Sequence, residues 1–202
     1  MLNSLSLQRE DGSSSLPRNH RGTVYEKAGL RIRDSAGLSP DEPLDPYVLA
    51  KAAGIQVIHP RELVGLDPRL LERLCSTFSA EWSGATIELP DDRRVCILNP
   101  EQTRERASAT LMEEIVHVRL EHAPTKIVIG SGLSFREYNH LNEEVAYGVG
   151  AAALVPYVTL HRRLRRGSSP EAIAEHFGVS LQLVIYRIKI TMLWELYRRK
   201  AS

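Results

Sequence analysis

The stretch between Asn99-Pro100 and Pro124 constrains this chain more than any other. Within it the apolar residues Ala107, Leu111, Ile115 and Val118 recur at steps of three and four, so one stripe of a helix must face a core. Proline fits neither a central strand nor a helix interior, so Asn-Pro ends whatever precedes it and Pro124 ends the helix. The spacing predicts one long helix over about 101–122. Just ahead lies TFSAEWSGATIELPDDRRVCILNP, where TIEL and VCIL flank the turn residues PDDRR. That pattern predicts an antiparallel hairpin leading into the helix. Trp82, with Ser83 and Gly84, is expected to seat the hairpin.

Several other segments read as helices. Asp45 caps one with Pro46 in its first turn, Gly54 ends it, and residues 55–58 alternate as a short strand. Asp67-Pro68 repeats the same start for a helix ending near Leu74, and residues 24–36 are weakly helical. Beyond Pro124 a looser stretch precedes a helix over 141–154, which stops before Pro156. Its centre, AYGVGAAAL, is made of small residues and admits a neighbouring helix closely. Residues 161–166 and 168–199 are helical again. The polar, serine-rich residues 1–21 are expected to be a disordered tail. The expected organisation is that tail, a main domain over 22–160 and a helical subdomain over 161–202.

Composition narrows the function classes. Lys and Arg number 26 and Asp and Glu 25, so overall charge draws no polyanion. No apolar run approaches the ~18 residues of a membrane span, and MLNSLSLQRE lacks the apolar core of a signal peptide. Two cysteines, Cys75 and Cys96, without a CxxC pair argue against a disulfide framework and for a reducing cytoplasm. Neither has a base nearby in sequence, so neither is expected to be a nucleophile.

On the long helix the segment EEIVH places Glu113 and His117 four residues apart, on one face, where they can converge on one point. HExxH motifs bind zinc through their first and fifth positions while the second supplies a general base. Here Glu113 stands first, Glu114 occupies the base position and His117 is fifth. Carboxylate oxygen is an acceptable ligand, but its charge shifts preference toward harder metals. A third ligand has to come from elsewhere, and Glu143 or Glu144 on the next helix is available. The other reading is a solvated acidic face, for EExxH arises by chance in many helices. Against that reading, Leu111, Met112, Ile115 and Val116 surround both carboxylates, an awkward place for unpaired charge.

RASATLMEEIVHVRLEHAP followed by NEEVAYGVGAAALVPY resembles the ImmA/IrrE family of zinc metallo-endopeptidases. That family has a hairpin leading to a helix with R-x-x-x-A-H-E-x-x-H, often followed by G-H, and then E-x-E-A-x-x-F-A-A-x-L-L-x-P. Within residues 106–117 the segment EEIVH lines up with the HExxH of the first block, Glu113 standing in place of its leading His. His122 falls where the family often has a later His, and Glu121 replaces the Gly before it. In the second block, counting back from Pro156, Ala146 matches the motif's Ala and Glu143 its first Glu, the family's third metal ligand. Glu144 takes that place if the register differs by one. The likeness covers roughly 44–190.

The resemblance implies an α+β fold: a mostly helical, zincin-like domain with a small antiparallel sheet and a helix-turn-helix-like C-terminal part. It implies one divalent metal, zinc or alternatively manganese, held by Glu113, His117 and Glu143. Glu114 would take the proton from a water attacking a peptide bond. His140 and Tyr138, ahead of the second motif helix, could serve as transition-state donors or as ordinary loop residues. The implied partner is a protein substrate, a repressor with a helix-turn-helix domain, cut to release a stress or mobile-element response. The rival is a relative that binds its regulator without cutting it.

A third class is a DNA-binding regulator. Ala174, Gly178 and Val184 have helix-turn-helix spacing, Ser180 can cap the second helix, and Arg187 and Lys189 are its basic residues. That helix is apolar nearly all round, which favours packing or substrate docking over base reading. The run HRRLRR (161–166) reads as a solvated cationic surface, with a phosphate or acidic partner as the alternative. His59 and His176 are expected to be surface or core residues rather than ligands, and Trp194 to pack the last helix.

Overall fold

The computed structural model describes residues 16–62, 67–75, 82–88, 93–122 and 140–198. The fold is α+β, predominantly helical with one small sheet. It divides into two compact units, Met1–Leu44 with Ala151–Ser202, and Asp45–Gly150. Tyr138, Pro124 and the PDD part of the hairpin turn lie outside the described residues.

The unit Asp45–Gly150 holds the sheet and the motif helices. Helix α2 (Pro46–Ala52) begins where Asp45 accepts the Tyr47 N–H, and strand β1 (Ile55–Ile58) follows. Helix α3 (Pro68–Cys75) starts in the same way, Asp67 accepting the Arg69 N–H. Strands β2 (Gly84–Glu88) and β3 (Arg94–Leu98) are antiparallel, Thr86 opposite Cys96, as the hairpin pattern requires. Asn99 donates to the Trp82 carbonyl and ties down the start of the hairpin.

The sheet as a whole is mixed, not antiparallel throughout. Its order is β1-β3-β2, and β1 runs parallel to β3 with Val57 opposite Cys96. Two strands separated by a helix and a further strand can meet in either sense, and no local pattern records which. Central β3 is buried along Val95, Cys96, Ile97 and Leu98, which explains its unbroken apolar run.

Helix α4 (Arg104–Arg119) is three residues shorter at each end than its apolar spacing suggests. Thr103 caps it through the Arg106 N–H, and Glu121, left-handed at φ 53°, closes it. Its residues Leu111, Met112, Ile115 and Val116 are fully buried. Helix α5 (His140–Leu154) approaches it closely: a Cβ on Gly150 would lie 3.3 Å from the Met112 side chain. That approach is what the small residues of AYGVGAAAL allow.

The other unit joins both ends of the chain. Helix α1 (His20–Ser35) begins inside the stretch expected to be a tail. Helices α6 (Tyr157–Arg166), α7 (Pro170–Phe177), α8 (Leu181–Ile190) and α9 (Trp194–Arg198) make up the remainder with the end of α5. Gly29 of α1 lies so near Ala152 and Ala153 that a Cβ there would come within 3.0 Å of their backbone. Arg33 donates to the carbonyls of Ala153, Ser39 and Glu42, fastening the loop after α1. Residues 161–198, set apart in the sequence as a subdomain, thus pack with residues 16–44.

The turn between α7 and α8 follows the expected chemistry: Gly178 is left-handed at φ 64°, Ser180 caps α8, and Ala174 and Val184 are buried. Arg187, a charge that a DNA-reading helix would present at the surface, is instead packed inside, in line with the packing role expected of this helix. It is 0% exposed and pairs with the equally buried Glu26 of α1, which also accepts the Tyr157 N–H. Lys189 is exposed, and its ammonium lies 6.0 Å from the centre of the Trp194 ring. Trp194 itself is only half-buried, against Tyr197. His161 stacks on Tyr157, Arg162 pairs with Asp41, and His176 bonds the Asp41 carbonyl, all structural roles. His59 accepts the Arg61 N–H in a turn.

Candidate metal centre

Helix α4 offers Glu113, Glu114 and His117, and α5 offers Glu143, within one unit of the fold. His117 is buried, and its Nε2 stands 3.3 Å from Oε2 of Glu143. Glu143, and not Glu144, carries the described contact with His117. On its other side the ring meets His122, with the two Nδ1 atoms 3.0 Å apart.

Glu113 is half-buried beside this pair. Burial first, and then the negative charges of Glu114 and Glu143, push its carboxyl up to about 8, while Arg106 opposes the rise. Glu114 also makes itself felt at the sheet: burial drives the Cys96 thiol up to about 12, and Glu114 adds to it. A thiol so hard to ionise is no nucleophile, as expected for Cys96. His140 is exposed at the first position of α5.

Tyr147 of this neighbourhood escaped the sequence reading, and Arg106 entered it only as the start of the segment matched to the first motif. Tyr147, one helical turn beyond Glu143, has its hydroxyl pKa raised by burial and by the Glu113 charge. Arg106, two turns before Glu113, lowers both the Glu113 and Tyr147 values and donates to Ser83 Oγ at 3.4 Å. The i+4 spacing of Glu143 and Tyr147 was the available signal.

The donors suit a divalent cation. Two ligand atoms about 2.1 Å from a tetrahedral ion stand about 3.4 Å from each other, close to the His117–Glu143 separation. The crowded carboxylates Glu113, Glu114 and Glu143 are what a positive charge relieves. Among the described residues, however, no three His, Cys, Asp or Glu side chains converge closely enough to hold an ion. His117 and Glu143 give two donors, and the Glu113 carboxylate has to swing toward them to give a third.

The Glu113 value has a consequence for stability. A carboxyl whose pKa is raised on folding contributes fully below its ordinary value of 4.5 and loses that contribution as pH climbs through about 8. The metal-free protein should therefore resist urea better at about pH 5 than at about pH 9. Glu113→Gln should flatten that difference; an unchanged pH profile would refute the assignment.

The model of a peptidase family, described as the IrrE N-terminal-like domain, matches residues 50–189. No curated protein matches the chain. No helix among the described residues is long and apolar enough to cross a membrane.

Proposed function

Because the chain belongs to the IrrE N-terminal-like family, whose character is that of metallopeptidases, we propose that it is a metal-dependent endopeptidase acting on a regulatory protein. The observation that carries this reading is the meeting of His117 and Glu143 across α4 and α5, beside Glu113 and Glu114. In this reading His117, Glu143 and Glu113 hold one divalent ion, zinc or the harder manganese that two carboxylates favour. When bound, the ion polarises a peptide carbonyl and makes water more acidic.

The remaining work falls to this chain's own groups. Glu114 accepts the proton of the attacking water and passes it to the leaving amine. Arg106 offsets the local excess of negative charge. The apolar floor of Leu111, Met112 and Ile115 fixes the helix that carries the donors. The substrate class proposed is a repressor with a helix-turn-helix domain, met in the cytoplasm.

A second reading draws on Glu113 and on the absence of a converged three-donor set among the described residues: a relative that binds its regulator without cutting it. Metal analysis separates the two. The purified protein should hold about one equivalent of zinc or manganese, lost on His117→Ala and on Glu143→Ala. A protein that takes up neither ion, or keeps it in both variants, favours the binding-only reading. A DNA-reading role has lost its main charge, since Arg187 is buried.

A further inference from the structure

We propose that His122 is a positioning residue for His117: it accepts the His117 Nδ1–H and so presents Nε2 toward Glu143 and the cation they would share. This rests on the metallopeptidase reading. Three observations carry it. The Nδ1 atoms are 3.0 Å apart, a distance at which one of them must bear a proton directed at the other. The rings meet edge to face, with centroids 5.0 Å apart and planes at 68°, so the contact is directional and not a stack. The backbone is also built to produce it.

The end of α4 is closed by a bond from the His122 N–H to the His117 carbonyl, 3.0 Å, wrapped around Glu121 at φ 53°. Such a turn brings the residue after the left-handed position back over the last helical turn. Glycine adopts that conformation freely, whereas a residue with a side chain is strained there. The chain carries Glu and tolerates the strain. The same turn thus bonds His122 to His117 twice, once through backbone and once through side chain. An imidazole that gives its Nδ1–H away keeps its Nε2 lone pair for a cation. Metal-binding histidines commonly need such an outer partner, and losing one weakens affinity by roughly 10–100-fold.

The test uses the whole protein and zinc. Nitrogen-15 spectra of the zinc-loaded protein should contain an exchange-protected imidazole proton on the His117 Nδ1, absent from His122→Ala. Zinc titrated against a chromogenic chelator should bind His122→Ala about 10–100-fold more weakly. The unloaded variant should melt where the parent does. His122→Asn, whose amide oxygen can accept the same proton, should recover most of the affinity. Failure to find the protected proton, or equal zinc affinity in His122→Ala and the parent, overturns the positioning role alone. A parent protein that binds no zinc overturns the metal reading, and the role with it.

Discussion

Glu114→Gln is expected to lower peptide cleavage by about 10²–10⁴-fold while leaving the metal content of the protein unchanged. The amide has the shape of the carboxylate but cannot take a proton from water. Glu114 is half-buried on α4, next to the residue whose carboxyl would ligate and on the side that influences Cys96 of β3. Its charge is also one of the forces that hold Glu113 protonated. Removing it should therefore ease ionisation of Glu113, so metal uptake has no reason to fall. The measurement pairs metal analysis with cleavage of peptides taken from helix-turn-helix repressors. Full cleavage by Glu114→Gln would end its role as base, and loss of metal would make Glu114 a ligand instead.

Arg187→Ala and Glu26→Ala should each destabilise the protein by about 3–5 kcal/mol. The two side chains are 0% exposed and bonded to each other, Glu26 also accepting the Tyr157 N–H and Arg187 donating through Nε to the Val155 carbonyl at 2.9 Å. Burial raises the Glu26 carboxyl, against the lowering pull of Arg187 and that N–H. Truncating either partner strands the other in a medium that cannot solvate it. Net stabilities of domains run to only about 5–15 kcal/mol, so either change should remove a large share of that stability and lower the urea midpoint followed by circular dichroism. The double variant Glu26→Leu with Arg187→Met, which removes both charges, should recover much of the loss. Two single variants as stable as the parent would mean the pair is hydrated after all. Loss of duplex binding on altering Arg187 would, for the same reason, report unfolding and not base contact.

Much of the candidate site was legible in the chain itself. The spacing of Glu113 and His117, the base position of Glu114 and the placing of Glu143 all come from helical period and motif register. The hairpin and the caps at Asp45, Asp67 and Ser180 depend on neighbours a few residues away, and the structure places each as its local chemistry requires. Arg106 and Tyr147 were harder to see, since their importance depends on sharing a neighbourhood with Glu113. Glu121 gave no warning, because a left-handed Glu has no propensity signal.

Sequence alone therefore determined which segments become helices and strands, with their ends placed to within a few residues, and which faces carry apolar or acidic residues, because those interactions act within a few residues. Only the tertiary structure decided that β1 lies parallel to β3, that Glu26 meets Arg187 161 positions away, and how near the His117 ring stands to the Glu143 carboxylate. Such pairings follow from close packing and from desolvation of the charges it encloses. Neither quantity exists until distant parts of the chain have met.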